Sequence, residues 1–124
     1  MQQAQIVTLG LEGSLAESLR ELAQARRIWL RETSQYAACQ SLVSSTAPRA
    51  FVLVLGKDLE REMAVLDLVH AALPETAVIV VGEADNPTLA GLAWDLGAAY
   101  VLFPPTPMEV IKEVIARCLE ETPA

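Results

Sequence analysis

The sequence contains little of what nucleic-acid binding, metal binding or membrane insertion requires. Its 124 residues include nine Lys and Arg against sixteen Asp and Glu, a net charge of −7, and such a surface disfavours nucleic acid and anionic membranes. The only histidine is isolated, and the two cysteines, Cys39 and Cys118, stand far apart without CxxC spacing, which argues against structural zinc. No apolar run reaches the ~18 residues of a membrane span. We therefore expect no nucleic-acid or membrane partner, no metal and no cofactor.

The first ten residues also lack the charged and apolar regions of a signal peptide. Together with the low cysteine content, this indicates a cytoplasmic protein whose two thiols stay reduced and buried. The length fits one domain, residues 1–124.

Short apolar segments alternate with helical patterns along the chain. Strands are predicted over Gln5–Leu9, Ile28–Arg31, Ala50–Leu55, Ala77–Val81 and Ala99–Phe103. Helices are predicted over Ser14–Arg26, Ser34–Ser45, Leu59–Ala72, from Asn86-Pro87 to Gly97, and from Thr106-Pro107 to about Glu121. Strict alternation predicts an α/β fold with a parallel sheet between two helical layers. The short second segment suits an edge strand, which gives the flavodoxin-like order 2-1-3-4-5.

Several residues mark where the helices begin and end. Ser14-x-x-Glu17 and Thr106-Pro107-Met108-Glu109 read as capping boxes, and Asp58 and Asn86 as N-cap residues. Gly97 is typical of the residue after a helix end. These signals support the predicted helix boundaries.

The segment Gly97–Pro107, GAAYVLFPPTP, resembles the last strand of response-regulator receiver domains. The resemblance extends over Gln5–Glu121, and it implies a cis Pro104–Pro105 bond. It also implies where the phosphotransfer residues of the family fall. The acidic pair falls on Gly10 and Leu11, the phosphoacceptor on Gly56, the hydroxyl residue on Gly82 and the lysine on Pro104.

None of these five residues can perform the family's chemistry, because none offers a carboxylate, hydroxyl or amine. The resemblance therefore indicates a degenerate receiver of two-component signalling, a pseudo-receiver without a phosphoacceptor or catalytic residue. We expect it to act as a protein-interaction or dimerisation module rather than an enzyme.

Two alternatives remain open at the predicted carboxyl edge of the sheet. The turn containing Gly10, Glu12, Gly13 and Ser14 precedes a helix and could bind a small ligand or nucleotide through backbone N–H groups. Asp58 is either a helix cap or a displaced phosphoacceptor.

Further carboxylates lie on loops at the same edge. Glu12, Glu83 and Asp85 are interpreted either as a cation site or as solvated loop charge.

The predicted fourth helix has more apolar side chains than one sheet face covers. Its Leu92 and Trp94, with Tyr100 on the fifth strand, are either core residues or an exposed aromatic face. In receivers the fourth helix, fifth strand and fifth helix form the usual partner surface. The resemblance thus implies that a protein partner or a second copy binds here.

Overall fold

The computed structural model describes residues 5–120, in which five strands alternate with five helices. The strands are β1 (Gln5–Leu9), β2 (Trp29–Thr33), β3 (Ala50–Leu55), β4 (Ala77–Gly82) and β5 (Tyr100–Leu102). The helices are α1 (Gly13–Arg26), α2 (Tyr36–Thr46), α3 (Leu59–Ala72), α4 (Pro87–Asp95) and α5 (Met108–Glu120). All paired strands are parallel, in the order β2-β1-β3-β4-β5. The predicted flavodoxin-like α/β fold is confirmed.

The sheet is buried on both faces, which explains the continuously apolar strands β3 and β4. Alternate residues of β3 enter different cores. Phe51 and Leu53 pack in the cluster that includes Leu66 of α3, whereas Val52 packs in the cluster that includes Leu19 of α1 and Ile115 of α5. The two clusters hold one helical layer on each face of the sheet.

Three predicted helix boundaries are confirmed in atomic detail. The Asp58 carboxylate accepts a hydrogen bond from the Arg61 N–H at 3.3 Å and caps α3. The Asn86 side chain accepts one from the Leu89 N–H at 3.1 Å and caps α4. Gly97 follows the end of α4 with a φ of +106°, and the His70 ring packs directly against it. A side chain at position 97 would be both strained and obstructed.

Both predicted capping boxes are wrong. Helix α1 begins at Gly13, and its N-cap Glu12 makes no capping hydrogen bond, while its carboxylate accepts one from Lys57 Nζ at 2.7 Å. Ser14 therefore lies inside the first turn. Helix α5 begins at Met108, and the Thr106 hydroxyl before it donates to the Phe103 carbonyl at 2.6 Å.

The second strand and second helix lie slightly later than predicted. Strand β2 pairs along the whole of β1, from Gln5 opposite Trp29 to Leu9 opposite Thr33. The Thr33 hydroxyl then accepts a hydrogen bond from the Gln35 N–H at 3.1 Å. This local turn delays the start of α2.

Two further predictions are confirmed, and one falls outside the described residues. The Pro104–Pro105 peptide bond is cis. Both cysteines are buried, and burial raises the pKa of the Cys39 thiol to about 11, so this thiol stays protonated at neutral pH. The predicted end of α5 at Glu121 lies outside the described residues.

Candidate functional site

The carboxyl ends of the parallel strands form one edge of the sheet, where doubly wound folds bind their ligands. Strands β1 and β3 are followed directly by Gly10 and Gly56, and β4 ends at Gly82. Strand β5 is followed by Phe103 and Pro104. We call the region at the carboxyl ends of the strands the carboxyl edge. At the ends of these four strands, Gly10, Gly56, Gly82 and Pro104 carry no side-chain oxygen and no amine.

A carboxylate from the chain itself lies over Gly56. A β-carbon built at position 56 would be 2.8 Å from Oε2 and 2.9 Å from Cδ of Glu83. Glu83 follows β4 and its side chain is exposed, so its tip is free to move. The resemblance places the phosphoacceptor at Gly56. The Glu83 carboxylate therefore brings negative charge to the position where a negatively charged phosphoryl group would be accepted.

A second carboxylate, that of Glu62, is buried beneath the loop between β3 and α3. Its Oε1 accepts a hydrogen bond from the Gly56 N–H at 3.0 Å, and its Oε2 accepts one from the Asp58 N–H at 3.3 Å. Both oxygens are thus used to hold backbone donors. This internal anion fixes the loop that carries the acceptor position in receivers.

Exchange of Glu62 for glutamine tests this anchor. The amide keeps the shape but provides one acceptor oxygen, so one backbone N–H loses its partner. We expect the free energy of unfolding to fall by about 2 kcal/mol in urea titrations. Glu60→Gln, an exposed change on the same helix, is the matched control and should cost at most ~0.5 kcal/mol. Equal effects of the two changes would contradict the anchoring role.

An aromatic ring fills the space above Gly82. A β-carbon at position 82 would lie 2.5 Å from Cδ2 and 2.6 Å from Cε2 of Phe103. Phe103 is 9% exposed and belongs to the larger core cluster. The ring therefore occupies the place where a threonine or serine side chain would project, and only glycine fits beneath it.

What remains open at the carboxyl edge is a pocket of about 60 Å³. The residues lining it are Leu9, Gly10, Ser34, Tyr36, Val54, Lys57, Glu62 and Glu83. Ordinary small-molecule sites measure ~300–1,000 Å³. The pocket is therefore several-fold smaller than an ordinary small-molecule or nucleotide site.

Lys57 and Tyr36, two of the polar residues that line the pocket, contact side chains outside it. Lys57 donates to Glu12, which raises the pKa of Lys57. The Arg61 guanidinium lies 5.6 Å from the centre of the Tyr36 ring. Burial, with the charge of Glu62 as a further cause, raises the pKa of Tyr36. The ring hydroxyl therefore stays protonated at neutral pH.

The residues predicted for ligand binding are only partly brought together. Gly10 lines the pocket, with a φ of +82° and its N–H donating to the Thr33 carbonyl at 3.0 Å. Glu12, Gly13 and Ser14 are exposed at the start of α1 and do not line it. The turn does not converge on one cavity.

The loop carboxylates do not form a cation site. Within residues 5–120, no three histidine, cysteine, aspartate or glutamate side chains are placed to hold a metal ion. Glu12, Glu83 and Asp85 are exposed, as the interpretation of solvated loop charge expects.

Sequence reasoning missed the roles of Glu62 and Phe103. A signal for Glu62 exists, because it lies three and four residues before Val65 and Leu66 on the buried stripe of α3. A charged residue on an apolar stripe is informative, since it needs partners. No signal in the sequence places the Phe103 ring over Gly82, because that contact depends on the β4–β5 register.

The predicted interaction residues have different exposures. Leu92 and Trp94 are 46% and 50% exposed, so the core interpretation is wrong for both. They flank the buried Ala93 and, being two residues apart, point to opposite sides of α4. Tyr100 is half-buried against the core cluster that contains α5 residues.

Comparison with known sequences is negative. No family model matches the chain, and no curated protein matches it. None of the helices within residues 5–120 is long and apolar enough to cross a bilayer.

Solved structures, in contrast, match nearly the whole chain. A CheY-like receiver domain protein from Methanospirillum hungatei JF-1 has a TM-score of 0.80 at 11% identity, over 96% of this chain and 95% of its own. The CheY-like protein tadZ from Pseudomonas aeruginosa PAO1 has a TM-score of 0.74 at 18% identity, over 94% and 99%. A protein from Burkholderia pseudomallei K96243, described as pilus assembly-related, gives 0.75 at 17%, over 98% and 93%.

These similarities define the fold. The structural neighbours are response-regulator receiver domains, and the chain has the CheY-like receiver fold. The carboxyl edge is thus the end of the fold that corresponds to the phosphorylation site of receivers.

Proposed function

We propose that this chain is a pseudo-receiver, a signalling domain that accepts no phosphoryl group and acts by binding a protein. The observation that carries the proposal is the filling of the carboxyl edge by the chain's own side chains. Phe103 covers Gly82, the exposed Glu83 carboxylate lies beside Gly56, and Glu62 holds the loop beneath. Phosphotransfer needs this space for a phosphoryl group and its ions.

The missing ligands support the same conclusion. Mg²⁺ takes oxygen ligands in near-octahedral geometry, and Gly10 and Leu11 supply no side-chain oxygen. Charge on a phosphoryl group in transfer is stabilised by cations, and Pro104 supplies none. Lys57 is hydrogen bonded to Glu12. Two carboxylates near Gly56 would instead repel phosphate.

The rival functions find less support. A nucleotide exceeds the pocket of about 60 Å³. Asp58 uses its carboxylate to cap α3 and also lies 3.6 Å from the Arg61 guanidinium. We therefore infer a cap rather than a displaced phosphoacceptor.

The outer surface of α4 supports the choice of interface. Gly91 lies in the middle of this helix, where glycine costs ~1 kcal/mol relative to alanine. A β-carbon at position 91 would meet nothing within 4 Å, so no packing inside the chain requires the glycine. On the outer surface of α4, Gly91 leaves a shallow depression between the half-exposed side chains of Leu92 and Trp94. A small residue flanked by large apolar ones suits the close approach of a helix from another molecule.

Self-association through α4, β5 and α5 provides the test. We expect the protein to be dimeric at a concentration of about 100 μM, because a modest interface has a Kd in the micromolar range. Trp94→Glu puts a charge at the contact and should give a monomer in light scattering, because a buried unpaired charge costs several kcal/mol.

Trp29→Glu is the matched control, since Trp29 is 51% exposed on the opposite edge strand. It should leave the dimer intact. A monomeric wild type would exclude self-association, and a dimer that survives Trp94→Glu would place the contact elsewhere.

A further inference from the structure

The edge of the sheet opposite β5 carries a basic, aromatic surface that the proposed function does not use. The six residues from Arg26 to Arg31 contain three arginines and no acidic side chain. These six residues have a charge of +3. Because the net charge of the whole chain is −7, the remaining residues have a net charge of −10. Arg26, Arg27, Trp29 and Arg31 are all exposed, and we call them the β2 patch.

The β2 patch is built around Trp29, which is 51% exposed. The Arg31 guanidinium lies 5.1 Å from the centre of the Trp29 ring, a cation–π geometry that orders both side chains. Ordered aromatic and arginine side chains are the residues that most often anchor protein contacts.

The backbone at Arg27 is costly to maintain. Arg27 closes α1 with φ 55° and ψ 49°, and its N–H donates to the last turn of the helix. This left-handed conformation costs a residue other than glycine ~1–2 kcal/mol. Glycine or asparagine is usual at such a position. The arginine adds an exposed positive charge to the β2 patch.

The backbone of β2 is open on one side, because β2 is the terminal strand of the sheet. The Thr33 carbonyl faces β1, where it accepts from the Gly10 N–H, and the Ile28 N–H turns away to the Ala23 carbonyl. Because this direction alternates along a strand, the backbone groups of Leu30 and Glu32 face outward. They can pair with an added strand.

We propose that the β2 patch binds an acidic, extended polypeptide segment of another protein. The segment adds to the open side of β2, and its carboxylates meet Arg27 and Arg31 while Trp29 packs on it. A second copy is a poorer occupant, because its residues 26–33 bring the same three arginines and one carboxylate, Glu32.

The test uses the whole chain with Trp94→Phe, which leaves Trp29 as the only tryptophan. A short peptide of alternating glutamate and valine is titrated while Trp29 fluorescence is recorded. We expect saturable binding that weakens with salt. The same peptide with lysine in place of glutamate should bind at least tenfold more weakly. Hydrogen exchange of the Leu30 and Glu32 amides should slow in the complex.

Charge reversal supplies the decisive comparison. Arg31→Glu should weaken binding about tenfold, whereas Arg117→Glu, the same change at an exposed site on α5, should leave it within twofold. Equal losses in both variants, equal binding of the two peptides, or unchanged exchange at Leu30 and Glu32 would overturn the proposal. Tighter binding to a DNA duplex or to anionic phospholipid vesicles than to the acidic peptide would also overturn it.

Discussion

Incubated with acetyl phosphate and Mg²⁺, the protein will gain no phosphoryl group in intact-mass spectrometry. The resemblance to receivers places the acceptor at Gly56, the hydroxyl residue at Gly82 and the amine at Pro104, and none of these residues carries the group required. Glu83 lies over Gly56, and Phe103 closes the space beside it. No single change restores all of these groups, so Gly56→Asp should also remain unmodified.

A phosphorylatable receiver treated in parallel is the positive control. Asp58 is the alternative phosphoacceptor, because it lies two residues after Gly56 and its side chain is about half-exposed. A mass gain of one phosphoryl group that disappears in Asp58→Asn would identify Asp58 as an acceptor and contradict the pseudo-receiver.

Gly82→Thr, which installs the residue type of receivers, will destabilise the protein by about 3 kcal/mol in urea titrations. The new β-carbon would lie 2.5 Å from the Phe103 ring, and overpacking of this degree costs ~1–3 kcal/mol or more. Phe103→Ala should cost a similar ~3 kcal/mol through loss of buried surface.

The two changes should not be additive. Once the ring is removed, threonine at position 82 has room, so in the Phe103→Ala background Gly82→Thr should cost less than ~1 kcal/mol. The resulting coupling of ~2 kcal/mol is the signature of direct contact. Gly91→Thr is the matched control at a site that is open within the chain and, measured at protein concentrations below the dimer Kd, should change stability by at most ~0.5 kcal/mol. Additive costs at positions 82 and 103 would show that the ring does not occupy this space.

The fold could be predicted because its signals are local and mutually consistent. Strand β3 is apolar at every position since both of its faces are covered, and Asp58, Asn86 and Gly97 mark helix ends through their own backbone geometry. The two capping boxes failed because α1 begins at Gly13, before the predicted cap Ser14, and α5 begins at Met108, one residue after the predicted first helical residue Pro107.

For the candidate site, the sequence predicted only which chemical groups are missing. Glycine and proline at the strand ends show that oxygen ligands and an amine are absent, but not what fills the space instead. Phe103 reaches Gly82 because β4 and β5 are neighbours in register, and Trp94 is exposed because Ala93 takes the buried side of α4. Both facts depend on the packing of whole elements.

The central claim, that the chain's own side chains leave no phosphoryl or Mg²⁺ site at the carboxyl edge, is tested most directly by nuclear magnetic resonance of the uniformly labelled protein. The amides of Gly10, Gly56 and Gly82 are followed while Mg²⁺ and then beryllofluoride, a phosphoryl mimic, are added to millimolar concentration. We predict no saturable shift at any of the three, because Phe103 lies over Gly82, the Glu83 carboxylate lies beside Gly56, and Gly10 and Leu11 supply no side-chain oxygen for Mg²⁺. Saturable shifts at Gly56 and Gly82 that require both ions would contradict the account.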